Sequence, residues 1–443
     1  MHVTMDESTS ILIVGSGIFG LSTAWHLARA GYTNVRCLDR WPVPSPSSAG
    51  YDLNKIVRTE YVDPIYTRLA HEAFHLWQEP LFKNVFHHTG WIWGTDGTTE
   101  LGRAQAYDRS YENTKAHGDA SKIIELPDWQ TAVQKFPFLG YDQRHIERKQ
   151  DFRGIFNKNA GWVDSIEAMK VLYRECCKLG VRFVHGKYGT MVSLERRGPS
   201  SEVCGVKTED GTVWYADKII LTAGAYCDTL LDFKGQLQAT AYVVTHVRLT
   251  PEQYQRYKDM PVIDISRRGY CFPPKMDRIM KICNTDFSYI NIKDTRCSWG
   301  AHSIPRDGAY HPADTQPWEA QQKTIEFTRW ILSELTEAEI ESSRLCWDME
   351  TFDYNWLLCY HPDSPNSLLI ATGGSGHSFK NLPNVGKYVV QALQGNLDKE
   401  LSELWKWRPD RIGKFPSLEE RARRPKLHLK DATGWKHDLT SKL

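Results

Sequence analysis

A short apolar run that breaks into a glycine turn limits the possible folds of this chain more than any other feature. Ile11-Leu12-Ile13-Val14 leads directly into Gly15-Ser16-Gly17-Ile18-Phe19-Gly20. Leu21 to Ala30 then carries apolar residues at helical spacing and stops at Gly31. A fully apolar tetrad of this kind fits a strand buried inside a parallel sheet. A second run, Val35-Arg36-Cys37-Leu38, ends in Asp39, about 20 residues beyond the turn. Strand, glycine turn, helix, strand and terminal acid together make a dinucleotide-binding unit. The glycines allow the tight turn and the close approach of a pyrophosphate, the helix N-terminus faces the phosphates, and the acid takes the ribose hydroxyls. Gly15, Gly17, Ile18, Phe19, Gly20, Asp39 and the adjacent Arg40 are therefore candidate cofactor residues. The acid favours an adenosine ribose without a 2′-phosphate.

The turn alone does not separate NAD from FAD. Two later segments point to FAD. Ile219-Ile220-Leu221-Thr222-Ala223-Gly224-Ala225 is a strand that ends in Thr-Ala-Gly, with Ala223 and Gly224 at the cofactor. Thr372-Gly373-Gly374-Ser375-Gly376-His377-Ser378-Phe379-Lys380 is a second glycine turn near the C-terminus. A long, extended flavin dinucleotide suits loops that lie this far apart in the chain.

With 443 residues and roughly 150 residues per domain, the chain has room for two or three domains or one two-lobed enzyme. Strand and helix alternate at both ends, and the middle is mixed. The expected class is α/β: a discontinuous, Rossmann-like FAD-binding domain from 1–90, 151–233 and 340–443, and an inserted α+β substrate domain from 91–150 and 234–339 with an antiparallel or mixed sheet. Further helices are expected at 61–82, 164–179 and 383–394. Strands are expected at 181–184, 203–206, 213–215, 218–222 and 367–372. The charged tail, 417–443, is expected on the surface.

Composition removes several function classes. A formal net charge of +1 gives no electrostatic case for nucleic acid or an anionic membrane. No apolar run reaches the 18 or so residues of a membrane span. The ten cysteines show no zinc-type spacing, so no metal is expected and the thiols should be free, inside the cell. The polar N-terminus does not look like a secretory or transit peptide. Aromatics at 12% fit either a large core or a pocket for a flat ligand.

Taken together, these segments resemble the monomeric sarcosine oxidase family of FAD-dependent amine oxidases. Within it the chain is most similar to the branch of fungal amadoriases (fructosyl amino acid oxidases), saccharopine oxidases and pipecolate oxidases. The resemblance covers nearly the whole chain. It rests on the N-terminal turn, on Ser48-Ala49-Gly50-x-Asp52-x-Asn54-Lys55-Ile56, and on Cys346-Trp347 and His361-Pro362. It rests also on Gly374-Ser375-Gly376-His377-Ser378-Phe379-Lys380 and on the terminal Ser441-Lys442-Leu443.

The resemblance implies roles for single residues. Cys346 would carry the flavin through a covalent thioether to its 8α carbon. Ser48, Lys55, Gly374, Gly376, His377 and Lys380 would lie on loops facing the cofactor. Lys281 would stand over the flavin and activate dioxygen, since a fixed cation stabilises the charge that develops on reduction. Arg58 and Lys380 would hold a substrate carboxylate. Lys55 matches an arginine in the sarcosine oxidases and a lysine in the amadoriases, and Tyr270 matches a pocket aromatic. The residues alone also permit a buried core cysteine at 346, a solvated lysine at 281, a core tyrosine at 270 and packed, hydrogen-bonded histidines at 361 and 377. Asp348 departs from the sarcosine oxidases, which have a tyrosine there. An acid facing inward would favour a cationic or hydroxyl-bearing substrate.

The expected activity is oxidation of the secondary amine of an N-substituted amino acid. Hydride leaves for the flavin, an imine forms, and dioxygen becomes H₂O₂. The same family leaves room for a fungal biosynthetic oxidase, whose N-methyl aromatic substrate would give an iminium that cyclises. A dehydrogenase and a non-catalytic dinucleotide sensor are the readings from outside it. The expected partners are a small amino-acid-derived amine, dioxygen and the peroxisomal import receptor, which reads Ser-Lys-Leu as an address. Peroxisomes hold catalase, which suits a peroxide producer. The enzyme is expected to be a monomer.

Overall fold

The computed structural model of the chain describes residues 5–96, 101–118, 120–140, 151–198, 202–294, 299–335, 338–414 and 424–435. The expected Ser441-Lys442-Leu443 address lies outside them.

Two sheets organise the molecule. The first has six strands in the order Leu357–His361, Ser364–Thr372, Lys218–Leu221, Ile11–Val14, Val35–Leu38 and Arg182–Val184. Ile11–Val14 sits in the centre and pairs in parallel with Lys218–Leu221 on one side and Val35–Leu38 on the other. All four of its side chains are buried, which explains an unbroken apolar run without alternation. The helices Ile18–Arg29, Ser165–Lys178 and Val385–Leu393 cover one face. Every strand of this sheet comes from a segment assigned to the nucleotide lobe.

The second sheet has ten strands and is mixed. At its heart Leu237–Arg248 pairs antiparallel with Ile279–Asn284 and with the long strand Glu339–Thr351. The register sets Lys281 opposite His246, and Cys346 opposite Tyr242. The sheet continues through Gly269–Cys271, Val262–Ile265, Trp91–Thr95, Arg153–Asn157 and Ile123–Leu126.

The lobe boundaries differ from the expected ones. Arg153–Asn157, Glu339–Thr351 and Lys426–His428 come from segments assigned to the nucleotide lobe, yet all three join the large sheet. Each finds its backbone partners there, and a ladder partner distant in sequence leaves no local trace. The described part of the tail keeps largely to the surface, as expected, but is also anchored to the fold. Lys426–His428 adds a parallel edge strand beside Ser288–Ile290, and Leu429 is buried, so this part of the charged tail is built into the fold.

Candidate active site

A cavity runs between the two sheets. Its wall includes Gly15, Gly17, Ile18 and Phe19 of the first turn, Asp39 and Arg40 after the second strand, and Ala223 and Gly224 after the third. Ser48, Lys55, Tyr270, Cys346, Asp348, Gly374 and Gly376 line it further along. Segments from both ends and the middle of the chain therefore meet on one cavity.

The residues fit an FAD. Gly15 has φ +99°, and a Cβ there would stand 2.6 Å from the Thr222 carbonyl oxygen, so only glycine permits the crossing of the two loops. Gly17 is different: a Cβ there would meet nothing within 4 Å, because the position opens onto the cavity. The helix that starts here has no acid in its first turn, so its free N–H groups can take a phosphate. Asp39 accepts from the Ser16 N–H at 2.7 Å and from the Trp41 N–H at 2.9 Å, which braces the turn. The Arg40 guanidinium lies between the rings of Tyr226, at 4.6 Å, and Tyr310, at 5.2 Å. On the same wall the Ser48 hydroxyl is buried without a hydrogen-bond partner among the described residues, as expected where a ligand atom belongs.

Cys346 also lines the cavity and is 6% exposed. The Lys55 ammonium lies 3.9 Å from its Sγ, and the Ala49 carbonyl 3.8 Å away. Asp348, two residues on, lines the same wall. It accepts from the Met349 N–H at 2.8 Å and from the Gly376 N–H, so it ties the second glycine turn to the long strand. Burial pushes its carboxyl above the usual range.

Lys281 is fully buried. Its Nζ stands 2.6 Å from Asp52 Oδ2 and 2.9 Å from the Asn54 carbonyl. The same Oδ2 takes Lys55 at 2.8 Å. Burial alone would raise the Asp52 pKa, but Lys281 and then Lys55 hold its carboxyl far below the ordinary range. Burial works against the Lys55 charge, and Asp52 outweighs it and holds the ammonium above its ordinary range.

Arg58 and Lys380 converge on Tyr61. The Arg58 guanidinium lies 4.6 Å from the Tyr61 ring centre and donates to the Glu60 carbonyl. Lys380 Nζ lies 4.9 Å from that ring, donates to the Tyr61 hydroxyl, and reaches the His377 carbonyl at 2.5 Å. The structure thus joins these two cations around one phenol, behind the cavity wall. Gly20 is enclosed in the helix. The His377 ring is also enclosed, with Nε2 3.0 Å from the Tyr354 carbonyl and Nδ1 3.3 Å from the Tyr61 hydroxyl. Of the expected site residues, Gly20, Arg58, Lys281, His377 and Lys380 do not line the cavity.

Sequence reasoning passed over Asp52, Arg344, Tyr61 and Arg424. Asp52 lies in the Ser48–Ile56 stretch, but nothing local marks it as the partner of two lysines. Arg344 donates to the carbonyls of Tyr51 and Ser48 and so holds the loop that carries Asp52. Arg424, in a stretch expected to be solvated, lines the cavity over the Tyr242 ring, with a buried Nε that has no hydrogen-bond partner among the described residues.

Comparison with known proteins agrees with this geometry. The profile of the FAD dependent oxidoreductase family matches residues 10–392. L-saccharopine oxidase of Schizosaccharomyces pombe is 32% identical over 436 residues, which cover 96% of this chain and 98% of that one. Amino acid oxidase imqH of Aspergillus flavus is 26% identical, over 91% of this chain and 98% of its own. Among solved structures, fructosyl peptide oxidase from E. terrenum superimposes with a TM-score of 0.89 at 32% identity, over 98% of this chain and 99% of that one. Amadoriase II of Aspergillus fumigatus superimposes with a TM-score of 0.86 at 32% identity, over 98% of each chain. The matched span takes in both glycine turns, Lys281 and Cys346, and the chain belongs to the FAD dependent oxidoreductase family.

Proposed function

We propose that the protein is an oxidase of the secondary amine of an N-substituted amino acid, with FAD attached through Cys346. The observation that carries this reading is one cavity joining a dinucleotide cradle to a cysteine, with buried cations at that end. FAD, when bound, supplies an acceptor for two electrons from a carbon–nitrogen bond and passes them to dioxygen, with an imine and H₂O₂ as products.

The chain's own residues bind, orient and polarise. The first glycine turn, Asp39 and Arg40 hold the adenosine and pyrophosphate. Cys346 tethers the other end, beside the Lys55 ammonium. Arg58 and Lys380, drawn together around Tyr61 behind the cavity wall, supply the positive charge that attracts and orients the substrate carboxylate. Tyr270 walls the amine. Its hydroxyl stays neutral, because burial keeps its pKa well above the ordinary value. Lys281 presents a fixed, buried cation to the negative charge that develops on dioxygen. The imine hydrolyses in water.

The names of the relatives support this chemistry: saccharopine, fructosyl peptides and amino acids are the compounds they carry. Action as a monomer and delivery to peroxisomes belong to the same proposal. Relatives at 24% identity are named monomeric sarcosine oxidase, from Bacillus, and peroxisomal sarcosine oxidase, from Homo sapiens. The test is peroxide release from sarcosine, pipecolate, saccharopine, fructosyl-valine, fructosyl-lysine and N-methyl-tyrosine. One strong responder is expected. No peroxide, and no anaerobic bleaching of the flavin by any of them, would overturn the proposal.

A further inference from the structure

We propose that Asp52 is a positioning residue that braces two ammonium groups with one carboxylate oxygen: Lys281, where dioxygen is reduced, and Lys55, beside the cysteine that takes the flavin. The inference rests on the roles given above to Lys281 and Cys346, and it adds a residue to which no role has been assigned.

The geometry is closed on every side. The Asp52 side chain has no exposure. Oδ2 alone meets Lys281 Nζ at 2.6 Å and Lys55 Nζ at 2.8 Å. Oδ1 accepts the Leu53 N–H at 2.8 Å, and the Asp52 carbonyl accepts the Ser165 hydroxyl at 2.5 Å. The carboxylate is therefore held from its own backbone and from the helix Ser165–Lys178, and cannot follow either lysine if that lysine moves. A continuous line, Cys346–Lys55–Asp52–Lys281, joins the tether end to the oxygen end through one acid.

The charge balance argues against a plain structural ion pair. Lys281, Lys55 and Arg344 all act on Asp52, so three cations face one buried carboxylate. Asp348 acts on Lys55 and Asp307 on Arg344 from farther out, which leaves Asp52 as the one carboxylate in ion-pair contact with Lys281 among the described residues. His246, across the strand pair and 4.0 Å from Oδ1, has its pKa lowered to about 4 by burial and is neutral at pH 7. Burial raises Tyr270 and Cys283, so both stay neutral as well. Two ammonium groups that share one carboxylate oxygen are each only partly neutralised, which is costly in a core unless a further anion arrives to meet them. Negative charge developing on flavin and dioxygen is such an anion, and Asp52 keeps the two lysines in place without cancelling them.

The test is a double-mutant cycle on the holoenzyme. Reduced enzyme is mixed with oxygenated buffer and flavin reoxidation is followed. Lys281→Met should slow it about 100-fold. Asp52→Asn should slow it about tenfold or more, through misplacement of the lysine. The double variant should be no slower than Lys281→Met alone, because Asp52 acts through Lys281. Multiplied effects in the double variant, or normal reoxidation in Asp52→Asn beside a slow Lys281→Met, would overturn the inference and leave the role of Lys281 standing. Normal reoxidation in Lys281→Met would overturn that role, and this inference with it.

A second readout does not depend on turnover. Apoprotein is mixed with FAD, and flavin that survives denaturation is measured over time. Asp52→Asn should incorporate it about tenfold more slowly, since Lys55 loses its brace. Equal rates would overturn the tether arm. Should Asp52→Asn not fold, Asp52→Glu keeps the charge and lengthens the arm. It should slow reoxidation about threefold at unchanged melting temperature, and no change would overturn the inference.

Discussion

Lys281 and Asp52 form an ion pair of 2.6 Å with 1% and 0% of their side chains exposed. They stand 229 residues apart in the chain, one on a strand of the large sheet and the other on a loop leading to the strand Lys55–Val57. The pair fastens the loop that leads to Lys55–Val57 onto the ten-stranded sheet. It also gives acid stability a definite sign. The Asp52 pKa is depressed in the folded protein, mainly by Lys281 and then Lys55. Its contribution is therefore complete above the unfolded value of about 3.9 and fades as pH falls below it, where the unfolded chain gains the proton. Removing one partner of a buried pair costs about 3–5 kcal/mol. In urea unfolding, the gap between wild type and Asp52→Asn should be constant from pH 7 to about 5 and should shrink below about pH 4. A gap independent of pH down to the acid limit would contradict the pairing.

Cys346→Ala should still bind FAD through the glycine cradle but should release all of it on acid precipitation. Wild-type protein should keep its flavin in the pellet. Flavin in the wild-type supernatant would show that Cys346 is no tether.

Gly17 separates binding from folding. Its φ is −71°, and a Cβ there meets nothing in the protein. Gly17→Ala apoprotein should therefore melt within about 3 °C of wild type. The added methyl group enters the space where pyrophosphate belongs, so FAD affinity should fall by about tenfold or more. Flavin fluorescence titration measures the second effect and calorimetry the first.

Asp348 ties the second glycine turn to the long strand through the Gly376 N–H. Asp348→Ala should free that N–H and weaken FAD binding to the apoprotein by about 1–3 kcal/mol. Asp348→Asn keeps an acceptor and should retain most of the affinity. Equal titration curves for the two variants would rule out the bracing role.

Lys380→Ala should raise KM for the carboxylate-bearing substrate at a cost of about 1 kcal/mol, because its ammonium acts from behind the cavity wall. The Lys380 carbonyl accepts the Trp77 indole N–H at 2.7 Å through the backbone, so the substitution leaves that contact intact. An ester of the same substrate should lose the difference between variant and wild type. An unchanged KM for the acid would move carboxylate recognition elsewhere in the cavity.

The nucleotide cradle was legible because its rules are local. An apolar tetrad, a glycine that must cross a neighbouring loop and an acid at the next strand end are backbone requirements met within a few residues, and Gly15 meets one of them at 2.6 Å from Thr222. Asp39, Gly224 and Gly376 follow from the same logic, and all three line the cavity. The lobe boundary was less legible. Glu339–Thr351 reads as a strand anywhere, and only its ladder with Leu237–Arg248 assigns it to the large sheet.

The sequence by itself determined the dinucleotide unit, the second glycine turn and the identities of the cysteine and cations, because these depend on residue type at fixed spacing. The tertiary structure decided which of them meet. It brought Asp52 between Lys281 and Lys55, drew Arg58 and Lys380 around Tyr61, enclosed His377, and laid Arg424 on the cavity wall. These are pairings across hundreds of residues, set by burial and by the need to neutralise buried charge, and neither quantity exists until the chain has closed on itself.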